Sequence, residues 1–286
     1  MKKQTLWYWL FLAPVLIALT VVVIIPFIFG LYYSFTDWNG IQSTQFVGLK
    51  HYMEVFQDKE FLNSLWFTVK FSVASVIFIN VLGLTLALIV TQKMKTSKIL
   101  RTIFFMPNLI GGLILGFIWQ FIFIKVFASI GDLLNIESLK GWLSTPETGF
   151  WGLVILMSWQ MAGYIMVIYI AYLENIPQEL LEAAEIDGAN SFQRFRHITF
   201  PLVAPAFTVS LFLTLSNSFK LYDQNLSLTG GGPYNSTQML AMEIFKTAFS
   251  ENQMAYAQSK AIIFFIIVAI ISLTQVYFNK KREVEM

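Results

Sequence analysis

Two groups of polar and aromatic side chains interrupt apolar stretches of this 286-residue chain: Trp159, Gln160 and Tyr164 in one, and Asn217, Ser218, Lys220, Asp223 and Gln224 in the other. Aromatic faces beside amides and hydroxyls can stack on and hydrogen-bond a polar solute, and few charges are needed. The same residues can instead hydrogen-bond one helix to the next, or sit at a membrane boundary. Trp159 and Gln160 are neighbours, so at most part of the first group shares a helix face. Trp119, Gln120 and Asn80 are weaker candidates of the same kind.

Catalytic chemistry has no comparable foothold. There is no Cys, hence no thiol nucleophile, disulfide or Cys-ligated metal. His51 and His197 are far apart and both lie in loops, so neither a metal cluster nor a Ser–His pair inside a span is expected. Tyr222-Asp223 resembles half of an intramembrane aspartyl pair, but no GxGD follows, and Gly131-Asp132 comes earlier. No GxxxxGK[ST] loop is present to cradle a nucleotide. The glycines at 230–232 are followed by no Lys and read as a plain turn. Catalytic and metal-ligating residues are therefore expected to be none.

The elements that must position the polar groups are membrane spans. The chain is 56% hydrophobic and 13% charged, against roughly 25% charged in soluble domains. A spanning helix needs about 20 mainly apolar residues. Charge-free runs place spans at about 9–35, 68–91, 102–124, 150–173, 200–222 and 259–279. The first is too long for a cleaved signal peptide, and Pro14 and Pro26 are expected to kink it. A net charge of +2 with no basic cluster among aromatics points away from nucleic acid.

Charge asymmetry orients the spans. Lys2, Lys3, Lys93, Lys95, Lys98, Arg101, Arg194, Arg196, Lys280, Lys281 and Arg282 fall on one side, and Lys50, Lys59, Lys125, Lys140 and Lys246 on the other, with Lys70, Lys220 and Lys260 near span ends. The denser side is expected to be cytoplasmic, with both termini. The segments 36–67, 125–149 and 223–258 are then outside. Trp7, Trp9, Trp38, Trp142 and Trp151 lie near span ends, where aromatic belts form.

The cytoplasmic segment 174–201 is polar yet patterned. Pro177 suits a first helical turn, the residues from Gln178 to Glu185 favour helix, and Gly188 can break it at positive φ. Asn190 or Ser191 can cap a second helix with Phe192, Phe195 and Ile198 on one face, and Pro201 is expected to open the fifth span. On periodicity alone, this is equally a connector lying against the bilayer.

The residue order "EAAEIDGANSFQRFRHITFP" resembles the EAA signature of ABC-importer permeases, EAA-x3-G-x9-I-x-L-P, with Phe200 in place of Leu. "LTGGGPYNSTQML", residues 228–240, is similar to the LTxGGPxxST segment of carbohydrate-importer permeases, above all the "first" permease of the maltose, glycerol-phosphate and multiple-sugar type. "APVLIALTVVVIIPFIFGLYYSFTDW" and "FVGLKHYMEVFQD" fit the same group, so the resemblance covers nearly the whole chain.

That resemblance implies an all-α polytopic membrane protein of the type I ABC importer permease fold. Residues 1–286 would form one domain of six transmembrane helices, with both termini cytoplasmic. The coupling loop 174–200 would dock on a separate ATPase through Glu182, Ala183, Ala184, Asp187, Gly188, Ile198 and Pro201. The implied partners are a second homologous permease, two ATPase subunits carrying ATP and Mg, an extracytoplasmic sugar-binding protein and membrane lipid. No cofactor is expected on this chain, and the implied location is the bacterial cytoplasmic membrane. Tyr164, Asn217 and Ser218 fall near sugar-lining positions of the maltose-type permease, which implies that Tyr164 stacks on a sugar ring and Asn217 bonds hydroxyls. An ion-coupled secondary transporter or a facilitative channel is the alternative, with Lys220 and Asp223 as its focus.

Overall fold

A computed structural model describes residues 2–42, 45–92 and 94–281, with side chains from residue 8 onward. Lys93 and Arg282 lie outside the described residues, as do the side chains of Lys2, Lys3 and Trp7. The helices in chain order are α1 (Tyr8–Tyr33), α2 (Lys50–Val55), α3 (Lys59–Val90), α4 (Ser97–Phe105), α5 (Gly112–Leu134), α6 (Pro146–Leu173), α7 (Gln178–Ile186), α8 (Ser191–Phe219), α9 (Asp223–Leu228), α10 (Leu240–Phe245) and α11 (Met254–Lys280). Six of them, α1, α3, α5, α6, α8 and α11, are long and apolar enough to cross a membrane. Among the described residues, strand pairing is limited to an isolated bridge between Thr36 and Phe46.

The chain divides into two compact units, residues 63–242 with 267–286, and residues 1–62 with 243–266. The first unit is organised on α6, which buries Leu153, Leu156, Met157, Ile165, Met166 and Tyr169 and packs against α4, α5, α8 and α9. A buried polar chain crosses that core. Tyr169 donates to Asn80 Oδ1 at 3.0 Å, Asn80 donates to Thr214 Oγ1 at 3.2 Å, and Ser210 donates to the Tyr169 hydroxyl at 3.0 Å. Hydrogen bonds of this kind join helices where lipid offers no hydrophobic drive. Asn80 is therefore used between helices. In the second unit, Phe27 of α1 meets Phe265 of α11 at 5.3 Å, and Ser259 donates to the Ser34 carbonyl at 3.1 Å.

The third span begins elsewhere than the charge-free run suggests. The run 102–124 is cut by a tight turn at Met106–Leu109, where Pro107 lacks an amide proton and Gly111 is extended. The spanning helix is α5, which carries Lys125 and Asp132 within it. Lys125 is exposed, and a long lysine stem lets the ammonium leave the apolar zone. Asp132 pairs with Lys140 at 2.9 Å.

Pro201 stands in the first turn of the α-helical stretch Phe200–Phe219, where its missing amide proton is tolerated. Ahead of it lie a short α-helical turn at Ser191–Arg194 and a π turn at Phe195–Thr199, so α8 is continuous from Ser191 to Phe219. Pro26 in α1 follows the π turn Thr20–Ile24 in the same way.

Candidate functional site

The polar groups singled out by type converge on one cavity of about 480 Å³. Gln160 and Tyr164 stand one helical turn apart on α6 and face it together. Trp159, one residue earlier, turns away and meets Trp119 edge-on at 5.6 Å. On α8, Asn217 lines the cavity and donates one amide proton to the Leu213 carbonyl at 2.8 Å. Ser218 points the other way, fully buried, donating to the Thr214 carbonyl at 2.7 Å with Met157 Sδ at 3.6 Å. Lys220, Asp223 and Gln224 complete the expected set, so Trp159 and Ser218 alone lie outside the lining.

Two polar residues of the lining were missed from sequence, Asn108 and Tyr222. Asn108 sits in the turn that splits the apolar run 102–124, and Pro107 with Gly111-Gly112 was the available signal. Tyr222 adds a phenol hydroxyl to the lining. One wall is closed by amides: Gln224 donates to Gln160 Oε1 at 2.9 Å, and Gln160 donates to the Ile110 carbonyl at 3.3 Å. The cavity thus offers amide, phenol and carboxylate partners beside apolar Met157, Met161, Leu213 and Leu221.

The loop 174–200 has its own geometry. α7 ends in a left-handed Gly188 at φ +81°. Ala189 N–H bonds back to the Ala184 carbonyl at 2.9 Å, and Gly188 N–H to Glu185 at 3.1 Å. Asn190 then caps α8, exchanging bonds with Gln193 in both directions. Arg194 reaches back across the turn to Glu185 at 2.9 Å. Glu182, Ala183, Asp187 and Gly188 are exposed, while Ala184, Ile198 and Pro201 are half-buried. Ile186 is 87% exposed and Phe192 68%. Large apolar side chains on an otherwise polar, well-ordered turn suit a surface that something else covers.

Residues 79–284 match the family model described as the binding-protein-dependent transport system inner membrane component. The chain belongs to that family. This permease is 62% identical over 284 residues, 99% of its length and 97% of the relative's, to a probable starch degradation products transport system permease protein of Thermoanaerobacterium thermosulfurigenes. It is 33% identical over 280 residues, 97% of each chain, to a multiple sugar-binding transport system permease protein of Streptococcus mutans. Its fold superposes with a TM-score of 0.83, at 20% identity and covering 98% and 96% of the two chains, on a crystal structure of a bacterial alginate ABC transporter in complex with an alginate pentasaccharide-bound periplasmic protein. The permease is therefore a multi-pass membrane protein and a transport component, not an enzyme.

In this permease the segment after α8 builds one side of the cavity. α9 lies against α5 at Gly116, where an added Cβ would fall 1.8 Å from Ser227 Oγ, so only glycine admits that approach. The loop after α9 closes on Asn225, which is fully buried. Its amide donates to the Thr229 hydroxyl at 3.0 Å and the Thr237 carbonyl at 2.9 Å, and accepts from Met239 N–H at 3.2 Å. Thr237 donates to the Gly232 carbonyl at 2.7 Å. The segment 228–240 is thereby a closed, internally bonded loop that holds α9 in place.

Proposed function

We propose that this permease carries starch-derived oligosaccharides into a bacterial cell across its cytoplasmic membrane, as half of an ATP-driven translocation pathway. The observation that carries the reading is the cavity shared by α6, α8 and α9. Tyr164 offers a ring face, and Asn217, Asn108, Gln160 and Gln224 offer amides, a lining suited to a neutral chain of hydroxyl-bearing rings. Identity of 62% to a permease named for starch degradation products supports the substrate class.

The other half of the pathway is a second, homologous permease. Two ATPase subunits, which bind ATP and Mg, dock on the loop 174–200 with the termini on the same, cytoplasmic face. Exposed Ile186 and the open space around Gly188 support that docking. An extracytoplasmic binding protein delivers the sugar. Nucleotide closes the ATPase pair, the loop passes the motion to α8, and the cavity opens outward. Each state must bind ATP and sugar differently for the cycle to turn.

The test is a gentle-detergent pull-down of the tagged chain, followed by uptake of maltotriose at limiting concentration. Recovery of a second permease and an ATPase is expected, with uptake lost in Tyr164→Ala and Asn217→Ala. Recovery of the chain alone, or normal uptake in both variants, refutes the assignment.

A further inference from the structure

The unit made of residues 1–62 and 243–266 holds a cavity of about 390 Å³ that shares no lining residue with the transport cavity. Its volume lies within the range of about 300–1,000 Å³ found for small-molecule sites. Trp38 and Tyr256 provide ring surface. Trp38 is held from behind, stacked on Tyr33 at 4.2 Å and 20°, and its carbonyl accepts from Ala255 N–H at 3.0 Å.

The polar groups of this cavity are fixed with one function left over. Asp37 Oδ1 accepts from Gln45 N–H at 2.7 Å, which leaves Oδ2 as an acceptor. Asn39 Oδ1 accepts from Ile41 and Gln42 N–H at 3.1 Å each, which leaves its NH2 as a donor. Gln253 lines the same space with a second amide. His51 is tied into the wall, with Nε2 3.0 Å from the Thr36 carbonyl and Nδ1 3.2 Å from Glu54.

A carboxylate acceptor, amide donors and a braced indole suit vicinal hydroxyls on a saturated ring whose C–H face rests on the aromatic. A cationic side chain would satisfy Asp37 but would set the Asn39 donor against positive charge. We propose that this cavity is a second carbohydrate subsite, separate in residues from the translocation cavity, that takes an oligosaccharide end at the outer surface. The outer placement and the α-glucan probe rest on the function proposed above.

The test is calorimetric titration of maltotriose into the assembled transporter in nanodiscs, without binding protein, and with Tyr164→Ala and Asn217→Ala silencing the first cavity. Residual binding is expected. Asn39→Asp, which keeps the turn acceptor and removes the donor, should weaken it about tenfold. Trp38→Ala should abolish it, and Trp38→Phe should retain part. Residual binding indifferent to Asn39→Asp and Trp38→Ala, or no residual binding while the unmutated assembly still binds and transports maltotriose, overturns the subsite and leaves the transport reading standing. Loss of binding-protein docking with an unchanged sugar titration identifies the cavity as a protein interface and also overturns it. An unmutated assembly that recovers its partners but neither binds nor transports maltotriose overturns the α-glucan assignment and the subsite together.

Discussion

Lys260 holds its ammonium 2.8 Å from the Glu243 carboxylate with both side chains almost wholly buried, at 2% and 1% exposure. Asp58 approaches the same ammonium at 2.8 Å, and Lys260 also donates to the Thr247 hydroxyl at 2.9 Å. One cation thus gathers residues from the start of α3, from α10 and its continuation, and from α11. Removing one member of a buried pair strands the other, at a cost of about 3–5 kcal/mol. Lys260→Met should lower the unfolding midpoint of the purified assembly by several degrees. Adding Glu243→Met should recover part of the loss. A single-variant loss below about 1 kcal/mol would show the cluster to be solvated like a surface pair.

Asp58 makes the same cluster sensitive to acid. Burial alone would raise its carboxyl, but the Lys260 hydrogen bond, the Phe61 N–H, the Lys260 charge and the Tyr256 hydroxyl outweigh burial and hold it below the ordinary 3.8. A depressed folded-state value means the contribution is fully present above 3.8 and fades as pH falls through the folded value. Thermal unfolding of the unmutated protein and Asp58→Asn should therefore differ at pH 7 and converge only below the ordinary carboxylate range. Equal midpoints at pH 7 would remove Asp58 from the cluster's energetics.

The two halves of this chemistry were not equally legible. Gln160, Tyr164, Asn217 and Gln224 could be picked by type, since amides and phenols inside apolar runs are few. Their neighbours Trp159 and Ser218 could not be sorted from them, because the sense of a helix face is set by packing, here by Trp119 and Met157. Gly188 and Asn190 were legible because their roles are local backbone geometry. The break at Pro107 was hidden by a hydropathy that ignores hydrogen bonds. Lys260 read as a charge near a span end, and nothing in its local sequence points to Asp58, about two hundred residues away. The second cavity is assembled from segments just as distant and left no pattern.

The seat of α9 on α5 should be intolerant of a single methyl. A Cβ at Gly116 would lie 1.8 Å from Ser227 Oγ and 2.9 Å from Ser227 Cβ, with the Gln224 carbonyl at 3.2 Å. Gly116→Ala should push α9 outward, carry Gln224 away from Gln160, and cut uptake at limiting sugar roughly tenfold, as misplacement of about an ångström can. Ser227→Gly removes both close atoms, so the double variant should regain part of the transport. Full activity in Gly116→Ala would mean that α9 moves without consequence for the cavity.

Gly188 separates two demands that a glycine can meet. Its φ of +81° is a backbone demand, which Asn tolerates better than other residues. A Cβ there would meet no atom of this chain within 4 Å, so the space beside it is open. If an ATPase fills that space, any side chain obstructs docking, however well it suits the backbone. Gly188→Asn and Gly188→Asp should then both insert and keep the Arg194–Glu185 bridge, yet lose sugar-stimulated ATP hydrolysis in the assembled transporter. The bridge is a surface pair worth about 0–1 kcal/mol, so Glu185→Gln should leave coupling nearly intact. Normal coupling in Gly188→Asn would reduce the glycine to a turn residue and place the partner's contact elsewhere on the loop, with exposed Ile186 the next position to test.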